Sequence, residues 1–319
     1  MRLLDECPLC KSKKIEKYGE KVLTKRFKPK DVTDSEDQFL LERLNISTLV
    51  RSIYLCRSCY LFFQNPTYDH GDLEKLYNNS APGIIRYYKA VGLTAEDRWA
   101  STVSQNKLAE RQSRYAHEII NRGGTKILDY GGGSGINLLH HSLNDTERYV
   151  YDFGRDSILE KGIHLIKDFN VDHYFNFILH THVLEHEPDP QHSLTKLRQL
   201  ISPMGTLLLE VPFEYAERLL TRRPGAVWHV NYFNRKSIIE LTERTGWFCE
   251  SIKIKDLPYG HMSINCITAT LRPTSNELKR KKSLENIQTV YDIILSLFMR
   301  LIYDQFHCRV GREKNKNKN

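Results

Sequence analysis

The 319-residue chain does not begin with an uncharged apolar segment. An acidic residue already stands at position 5, Asp5, and no apolar run follows it. A secretory signal needs an apolar stretch of about 7–15 residues. We therefore expect a cytoplasmic protein, whose cysteines stay reduced because disulfides are rare in that compartment.

Most of the chain also lacks an excess of basic charge, although its net charge is +8. Residues 279–319 hold ten Lys or Arg against four acids and so contribute +6. The residues before them are close to neutral. A local basic run at Lys11, Lys13, Lys14 and Lys17 is typical of solvated surface. This distribution argues against a nucleic-acid partner, which would need a continuous basic face.

The glycine-rich segment lacks the dinucleotide-binding spacing. Residues 126–136 read KILDYGGGSGI, a short apolar strand followed by an acid and a glycine loop. The nicotinamide and flavin pattern G-x-G-x-x-G, counted from Gly131, would need glycine where the chain has Ile136. Such glycines let a ligand approach the main chain. We expect a helix directly after the loop, whose free N–H groups can bind an acidic group of the ligand. The spacing is instead D-x-G-x-G-x-G, formed by Asp129, Gly131, Gly133 and Gly135.

Strands and helices alternate after this loop. Apolar spacing predicts strands at Arg148–Asp152, His164–Asp168 and Phe175–His182, a helix at Gln191–Ile201, and a turn and fifth strand at Ser202–Pro212. This rhythm implies a parallel sheet whose ligands bind at the carboxyl ends of the strands. An acid that ends the second strand can accept both ribose hydroxyls of a nucleoside. Four residues are expected at that edge, namely Gly131, Asp152, Asp168 and His182.

Four of the seven cysteines form two C-x2-C pairs, Cys7 with Cys10 and Cys56 with Cys59. Two such pairs supply the four thiolates of a tetrahedral zinc site. Disulfides are the competing interpretation, and a reducing compartment favours zinc. The other cysteines have no useful spacing and are expected to be packed thiols; they are Cys249, Cys266 and Cys308.

Over residues 120–272 these features resemble the class I S-adenosylmethionine (SAM) methyltransferases. The sequence HVLEH at 182–186 and an antiparallel pair at 248–254 and 264–271 are also similar to that family. The resemblance implies an α/β, Rossmann-like sheet of parallel strands with a C-terminal antiparallel strand, and SAM as cofactor. Asn176 departs from the aspartate that often begins the fourth strand. The cofactor-binding residues expected from the family are Asp129, Gly131, Gly133, Gly135, Asp152, Asp168 and His182.

Residues 60–66 are similar to the amino-terminal zinc-binding segment of many bacterial methyltransferases that act on sugars or small secondary metabolites. The resemblance implies a carbohydrate precursor or similar small acceptor, in surface polysaccharide or secondary-metabolite biosynthesis. The expected organisation is a zinc module (1–65), a helical lid or linker (66–122), a SAM-dependent methyltransferase domain (123–275), and a C-terminal helix with a disordered basic tail (276–319).

Helices are expected outside the sheet as well. Apolar spacing predicts two of them, Gly71–Tyr88 and Asp97–Asn121. The resemblance implies that these helices cover the cofactor, with Tyr77, Tyr87 and Tyr88 either facing it or forming plain core. Charged residues interrupt the apolar stripe of Leu284–His307, so that helix cannot span a bilayer. It could contact an anionic membrane, pack on its own sheet, or mediate dimerisation.

Methyl transfer needs mainly alignment, because SAM carries its own leaving group. A general base helps when the acceptor is a hydroxyl or an acidic C–H. The candidates are Glu185 and His186 after the fourth strand, and His229 after the fifth. The first two could instead cap a helix, and His229 could be a core histidine. His229 ranks first because its loop faces the acceptor in this fold.

Sugar-nucleotide C-methyltransferases with a similar zinc segment carry a motif like Tyr-His-Glu-His-x-x-Tyr-Phe at this place. His229, Tyr232 and Phe233 match it, whereas Trp228 replaces the glutamate. O-methylation therefore fits as well as C-methylation. Two other functions stay open, a zinc-containing RNA methyltransferase and a non-catalytic SAM-binding module. The intact glycine loop and Asp152 count against the second.

Overall fold

The structure is a computed structural model that describes residues 1–25, 32–77, 102–152, 162–169, 174–259 and 262–274. These residues belong to one unit, Met1–Lys279, and the second unit, Arg280–Asn319, lies outside them. The predicted helix at Leu284–His307, the basic tail, Cys308, Tyr87 and Tyr88 therefore also lie outside the described residues. No described helix is long and apolar enough to cross a membrane.

The amino-terminal part forms a small antiparallel sheet with two helices. Its elements are β1 (Ile15–Thr24), α1 (Val32–Arg43), β2 (Thr48–Cys56), β3 (Phe62–Gln64) and α2 (His70–Tyr77). β1 pairs with β2, and β2 pairs with β3. Buried Leu40 and Leu41 of α1 pack with Leu76 of α2 and with Val227 from a loop far along the chain. This part is therefore packed against the rest of the unit.

The second part alternates helices and strands. It comprises α3 (Thr102–Asn121), β4 (Lys126–Tyr130), β5 (Glu147–Tyr151), β6 (Ile163–Leu165), β7 (Phe175–Thr181), α4 (Pro190–Leu200), β8 (Ile201–Pro212), α5 (Tyr215–Thr221), β9 (Asn231–Tyr232), α6 (Arg235–Arg244), β10 (Trp247–Tyr259) and β11 (Met262–Pro273). The described part of the predicted segment Asp97–Asn121 is α3, and α2 is the described part of Gly71–Tyr88. The predicted domain bounds stay predictions.

Seven of these strands form the central sheet, in the order β10-β11-β8-β7-β4-β5-β6. The pairs from β6 to β8 are parallel, and β11 runs antiparallel to both β8 and β10. Central β7 is buried along almost its whole length, as expected of a parallel strand covered on both faces. This topology confirms the predicted Rossmann-like sheet with an antiparallel strand near its C-terminal end.

The core beneath the sheet comes from α3 and the first strands. Tyr115, Ala116 and Ile119 of α3 are buried against Ile127 of β4 and Phe177 of β7. The three α3 side chains follow one helical stripe, so a single amphipathic helix covers this face. α3 is therefore part of the core of the domain.

Asn176 ties the amino-terminal ends of two strands together. Its Oδ1 accepts hydrogen bonds from the N–H groups of Thr125 and Lys126, at 2.9 and 2.8 Å. Its Nδ2 donates to the carbonyl of Gly123 and the hydroxyl of Thr125. The side chain thus aligns β7 with β4 at the edge opposite the expected site.

The turn predicted at Ser202 lies within a long strand. Phe175 pairs with Ile201, whereas Phe177, only two residues on, pairs with Thr206. Residues 202–205 therefore bulge out of the ladder between these two pairings, and Met204 is 82% exposed. Pro203 has no N–H to donate, and Gly205 adds conformational freedom, which explains the interruption.

The two sheets meet through a loop of the second part. β9 is the outer strand of the amino-terminal sheet, because Tyr232 pairs with Phe62 and Asn231 pairs with Phe63. The loop that follows the fifth parallel strand is thus held by the module that contains the cysteines. This contact sets the position of His229, three residues before Tyr232.

Candidate active site

The glycine loop after β4 contains three glycines in the left-handed region, with φ values of 76° at Gly131, 57° at Gly133 and 75° at Gly135. An added Cβ at Gly131 would lie 2.3 Å from Val183, and one at Gly135 would crowd Val150. Gly133 differs, because among the described residues its added Cβ would approach only Asp152, at 3.9 Å. Within the part of the chain that the structure describes, the main chain at Gly133 therefore borders space that can admit a ligand.

Two acids flank this loop. The N–H of Gly133 donates to Oδ2 of Asp152 at 2.7 Å, immediately after β5. Asp129 is 1% exposed, and its Oδ2 accepts from Asn137 at 3.0 Å. Burial disfavours the carboxylate and raises the pKa of Asp129 to about 7, although the hydrogen bond from Asn137 opposes the rise. The sequence-predicted Asp129, Gly133 and Asp152 therefore lie together.

The α-helix expected directly after the glycine loop is not present among the described residues. Two single-turn 3₁₀ helices, Ile136–Leu138 and His141–Leu143, take its place. The ring of His140 accepts from the N–H of Ser142 and so caps the second of these turns. The prediction of a helix here was wrong, and ligand contacts at this point rest on the loop itself.

The other two expected cofactor residues lie at separate places. Asp168 is exposed and follows β6. His182 follows β7 in the left-handed region, with φ of 56°. Its Nδ1 lies 3.7 Å from Oε1 of Glu185 and its Nε2 lies 4.0 Å from the thiol of Cys266. His182 is thus close to Glu185, and its expected cofactor role stays a prediction.

The three candidate catalytic residues come together at the carboxyl end of β7. Glu185 and His186 occupy a single 3₁₀ turn, Leu184–His186, directly after Val183, which contacts Gly131. The ring of His229 stands edge-on to that of His186, with centroids 4.9 Å apart. Potential ligand atoms of all three residues lie within 4.8 Å of one another. The cluster is therefore next to the glycine loop.

His229 has a carboxylate partner that sequence reasoning missed. Its Nδ1 lies 2.5 Å from Oε2 of Glu214, the residue before α5. Burial would raise the pKa of Glu214, but the imidazole of His229 outweighs it and leaves that pKa below its ordinary value. A carboxylate only accepts hydrogen bonds, so Nδ1 of His229 carries the proton and Nε2 carries the lone pair when the ring is neutral.

His186 has a neutral partner instead. Its Nδ1 lies 2.9 Å from the carbonyl oxygen of Trp228, which can only accept, so Nδ1 is again the donor. Burial lowers the pKa of His186 more than the nearby Glu185 raises it. Burial thus favours the neutral form of His186, and its Nε2 lies 3.6 Å from Oε1 of Glu185.

Glu185 is the most enclosed group of the cluster, at 2% exposure. Burial would raise its pKa, but the imidazoles of His186, His182 and His229 hold that pKa below its ordinary value. Within the described ranges, neither carboxylate oxygen makes a hydrogen bond. Its backbone carbonyl accepts from Val230 at 2.8 Å, which links the turn to the loop of His229.

The amino-terminal part holds this loop through its main chain. Arg51 is fully buried and donates to the carbonyls of Gly225 and Ala226, at 3.0 and 2.9 Å. The hydroxyl of Tyr68 donates to the carbonyl of Val227 at 2.5 Å, and the N–H of Gln64 donates to Val230 at 2.8 Å. The backbone around His229 is therefore anchored on both sides.

The four paired cysteines form one buried cluster. The sulfurs of Cys7 and Cys59 are 3.6 Å apart, and those of Cys10 and Cys56 are 3.4 Å apart. A disulfide would bring them to about 2.05 Å, so the disulfide interpretation is wrong for these thiols. Zn–S bonds of about 2.3 Å place tetrahedral sulfurs about 3.8 Å apart, so this arrangement fits a zinc ion.

Part of the chain matches a known protein family in sequence. Residues 99–252 match the family described as methyltransferase domain. No curated protein matches the chain in sequence.

Among solved structures, the chain is similar to the 1,6-didemethyltoxoflavin-N1-methyltransferase of Burkholderia thailandensis, solved with 1,6-didemethyltoxoflavin and S-adenosylhomocysteine. The identity is 14%, with 70% of this chain and 96% of that chain covered and a TM-score of 0.48. A SAM-dependent methyltransferase of Clostridium acetobutylicum is 9% identical, with 52% and 92% covered and a TM-score of 0.38.

The sequence match covers the glycine loop, the acids beside it and the parallel strands that position them. The chain therefore contains a methyltransferase domain, which is matched over residues 99–252.

Proposed function

We propose that this methyltransferase modifies a hydroxyl of a carbohydrate precursor or similar small acceptor, with His229 as general base. The observation that carries the proposal is the 2.5 Å contact between His229 and Glu214 beside the glycine loop. A carboxylate on Nδ1 fixes the tautomer and stabilises the imidazolium that forms when Nε2 takes a proton. The base is thus prepared before the acceptor arrives.

The residues beside β4 fit SAM. Gly133 borders open space, and Asp152 presents a carboxylate at the end of the second parallel strand, where ribose hydroxyls can donate to it. When bound, SAM would supply an electrophilic methyl group and its own leaving group. The loop would orient the cofactor through its main chain, and Asp152 would exchange the N–H of Gly133 for the ribose.

The partners of the two histidines favour His229 over His186. The anionic Glu214 stabilises a positive charge on His229, whereas the carbonyl of Trp228 beside His186 is neutral. Burial also lowers the pKa of His186 and so weakens it as a base. His186 would instead help to position the acceptor.

The proton balance is simple. The acceptor oxygen gains the methyl group and gives its proton to Nε2 of His229, and the proton then leaves to solvent after the product departs. Glu185 adds negative charge near the imidazoles, which favours the protonated ring. The same arrangement can also take a proton from an acidic C–H, so O- and C-methylation remain alternatives.

We further propose that the four cysteines bind one structural zinc ion. All four are buried, and their sulfurs already have nearly the spacing that tetrahedral zinc requires. The main chain repeats at both pairs, since Lys11 after the first and Tyr60 after the second have φ near 60°. The ion would hold the sheet that anchors the loop of His229.

Acceptor class is tested by labelling. The purified protein is incubated with SAM carrying a labelled methyl group and, separately, nucleotide sugars, polysaccharide, and RNA. We expect label in the nucleotide sugars and none in RNA, because residues outside 279–319 are nearly neutral. Label that enters only RNA would contradict the proposal, and label in no pool would favour a non-catalytic SAM-binding role.

A further inference from the structure

The cluster on the acceptor side has the composition of a metal site. One carboxylate and two imidazoles, from Glu185, His186 and His229, place potential ligand atoms within 4.8 Å of one another. Nitrogen and oxygen donors in this ratio bind Zn²⁺ and related ions at sites with open coordination positions. This group is separate from the four cysteines.

Both histidines already have the outer contacts that metal-binding histidines use. Nδ1 of His229 meets the carboxylate of Glu214, and Nδ1 of His186 meets the carbonyl of Trp228. Such contacts fix the ring orientation and leave Nε2 as the ligand atom. Two rings are thus supported in the same manner from two different elements.

The burial of Glu185 is a second observation that points to a metal ion. Glu185 is 2% exposed, and within the described residues its oxygens make no hydrogen bond, although imidazole nitrogens of His182 and His186 lie 3.7 and 3.6 Å from Oε1. A buried carboxylate is costly unless it is paired or coordinates a metal. Its Oε1 lies 3.6 Å from Nε2 of His186. Tetrahedral bonds of about 2.1 Å would need these atoms about 3.4 Å apart, so a small adjustment suffices.

We propose that Glu185, His186 and His229 bind one divalent transition-metal ion of the Zn²⁺ class. The ion would occupy the lone pair with which His229 is proposed to accept a proton. Metal binding and base catalysis are therefore alternative states of one site, and the bound ion blocks methyl transfer. This regulatory consequence rests on the proposed function, whereas the binding itself does not.

The test uses the full chain with its four-cysteine site loaded with zinc, titrated with Co²⁺ in the absence of SAM and acceptor. We expect one equivalent to bind with visible d–d absorption and without thiolate-to-cobalt charge transfer. Glu185→Gln and His186→Gln should each weaken this binding by about 100-fold or more, and Glu214→Gln by about 10–100-fold. His117→Gln, which removes an exposed histidine on α3, should leave it unchanged.

The wild-type complex gives a reading that does not depend on the folding of variants. Its proton spectrum should contain two exchangeable, paramagnetically shifted signals, from the Nδ1–H groups of His186 and His229. The proposal would be overturned if no Co²⁺ binds in addition to the zinc of the four-cysteine site. Co²⁺ binding that is unchanged in both Glu185→Gln and His186→Gln would also overturn it.

The regulatory part has its own measurement. Turnover should fall as the site fills and recover with a chelator that leaves the four-cysteine site loaded. Turnover that rises with filling would overturn the blocking role. A chain that binds the ion but methylates no acceptor would refute the proposed function and leave the metal site standing.

Discussion

The proposed cofactor side and the proposed acceptor side of this enzyme differ in how the chain builds them. The cofactor side is local, because Asp129, Gly133 and Asp152 are held by two adjacent parallel strands and the loop between them. The acceptor side is assembled from distant segments, since Arg51 and Tyr68 of the amino-terminal part donate hydrogen bonds to the main chain of the loop that contains His229. The first should tolerate loss of the zinc ion proposed at the four cysteines, and the second should not.

The largest effect is expected from breaking the four-cysteine cluster. Structural zinc contributes about 10 kcal/mol or more to the folding of small modules. Cys56→Ser should therefore release the metal and loosen residues 1–65, measured by metal analysis and limited proteolysis. Cys249→Ser, a half-buried cysteine outside the cluster, should retain one zinc per chain. Protein purified without zinc, or with a disulfide between Cys7 and Cys10, would contradict the assignment.

The next effect concerns the base. His229→Ala should reduce turnover by about 10²–10⁴-fold, the usual span for a lost general base. SAM affinity measured by calorimetry should hardly change, because the imidazole lies on the acceptor side. His186→Ala is the matched comparison and should cost less. A greater loss in His186→Ala would move the base to the turn after β7.

SAM binding should be weakened by a side chain that fills the space beside Gly133. Gly133→Val should raise the dissociation constant for SAM by about 100-fold or more, because it places a branched side chain where the main chain borders the ligand. Gly123→Val is the control for backbone strain, since Gly123 has φ of 70° and no described atom within 4 Å of an added Cβ. Equal losses of SAM affinity in both variants would show that strain, not contact, is responsible.

The features that the sequence predicts well are those formed by residues close together in the chain. The glycine loop and Asp152 are close in the chain, so their spacing alone predicts a nucleoside site. The four-cysteine cluster could likewise be predicted, although 45 residues separate its two pairs, because the two cysteines of each pair are close in the chain. The parallel sheet follows from the alternation of predicted strands and helices. The prediction of an α-helix after the loop was wrong, because the glycine spacing does not distinguish an α-helix from the two 3₁₀ turns that form there.

The acceptor side could be predicted only in part. His229 and His186 stand in recognisable segments, but nothing in the spacing pairs His229 with Glu214. Trp228 stands where the sugar C-methyltransferase motif has glutamate, and the carboxylate arrives from the start of α5 instead. Arg51 is 174 residues before Gly225, so only the folded chain brings them together.

A smaller loss of turnover is expected where the amino-terminal part contacts the loop of His229. Arg51→Lys keeps the charge but loses the fork that holds two carbonyls of the His229 loop. Turnover should fall by about 10-fold, roughly the effect of losing 1.4 kcal/mol of loop positioning. SAM affinity should be unchanged. Arg57→Lys, at an exposed arginine of the same module, should match the wild type in both measurements.

The most direct test compares both sides in one preparation, with and without the zinc ion proposed at the four cysteines. Hydrogen exchange reports residues 225–234, and calorimetry reports SAM binding. On metal removal, exchange in the loop should accelerate by at least about 10-fold, because β3 no longer protects it. The dissociation constant for SAM should change by less than about 3-fold, as expected for distant sites. Loop protection that persists while SAM binding is lost would contradict the account.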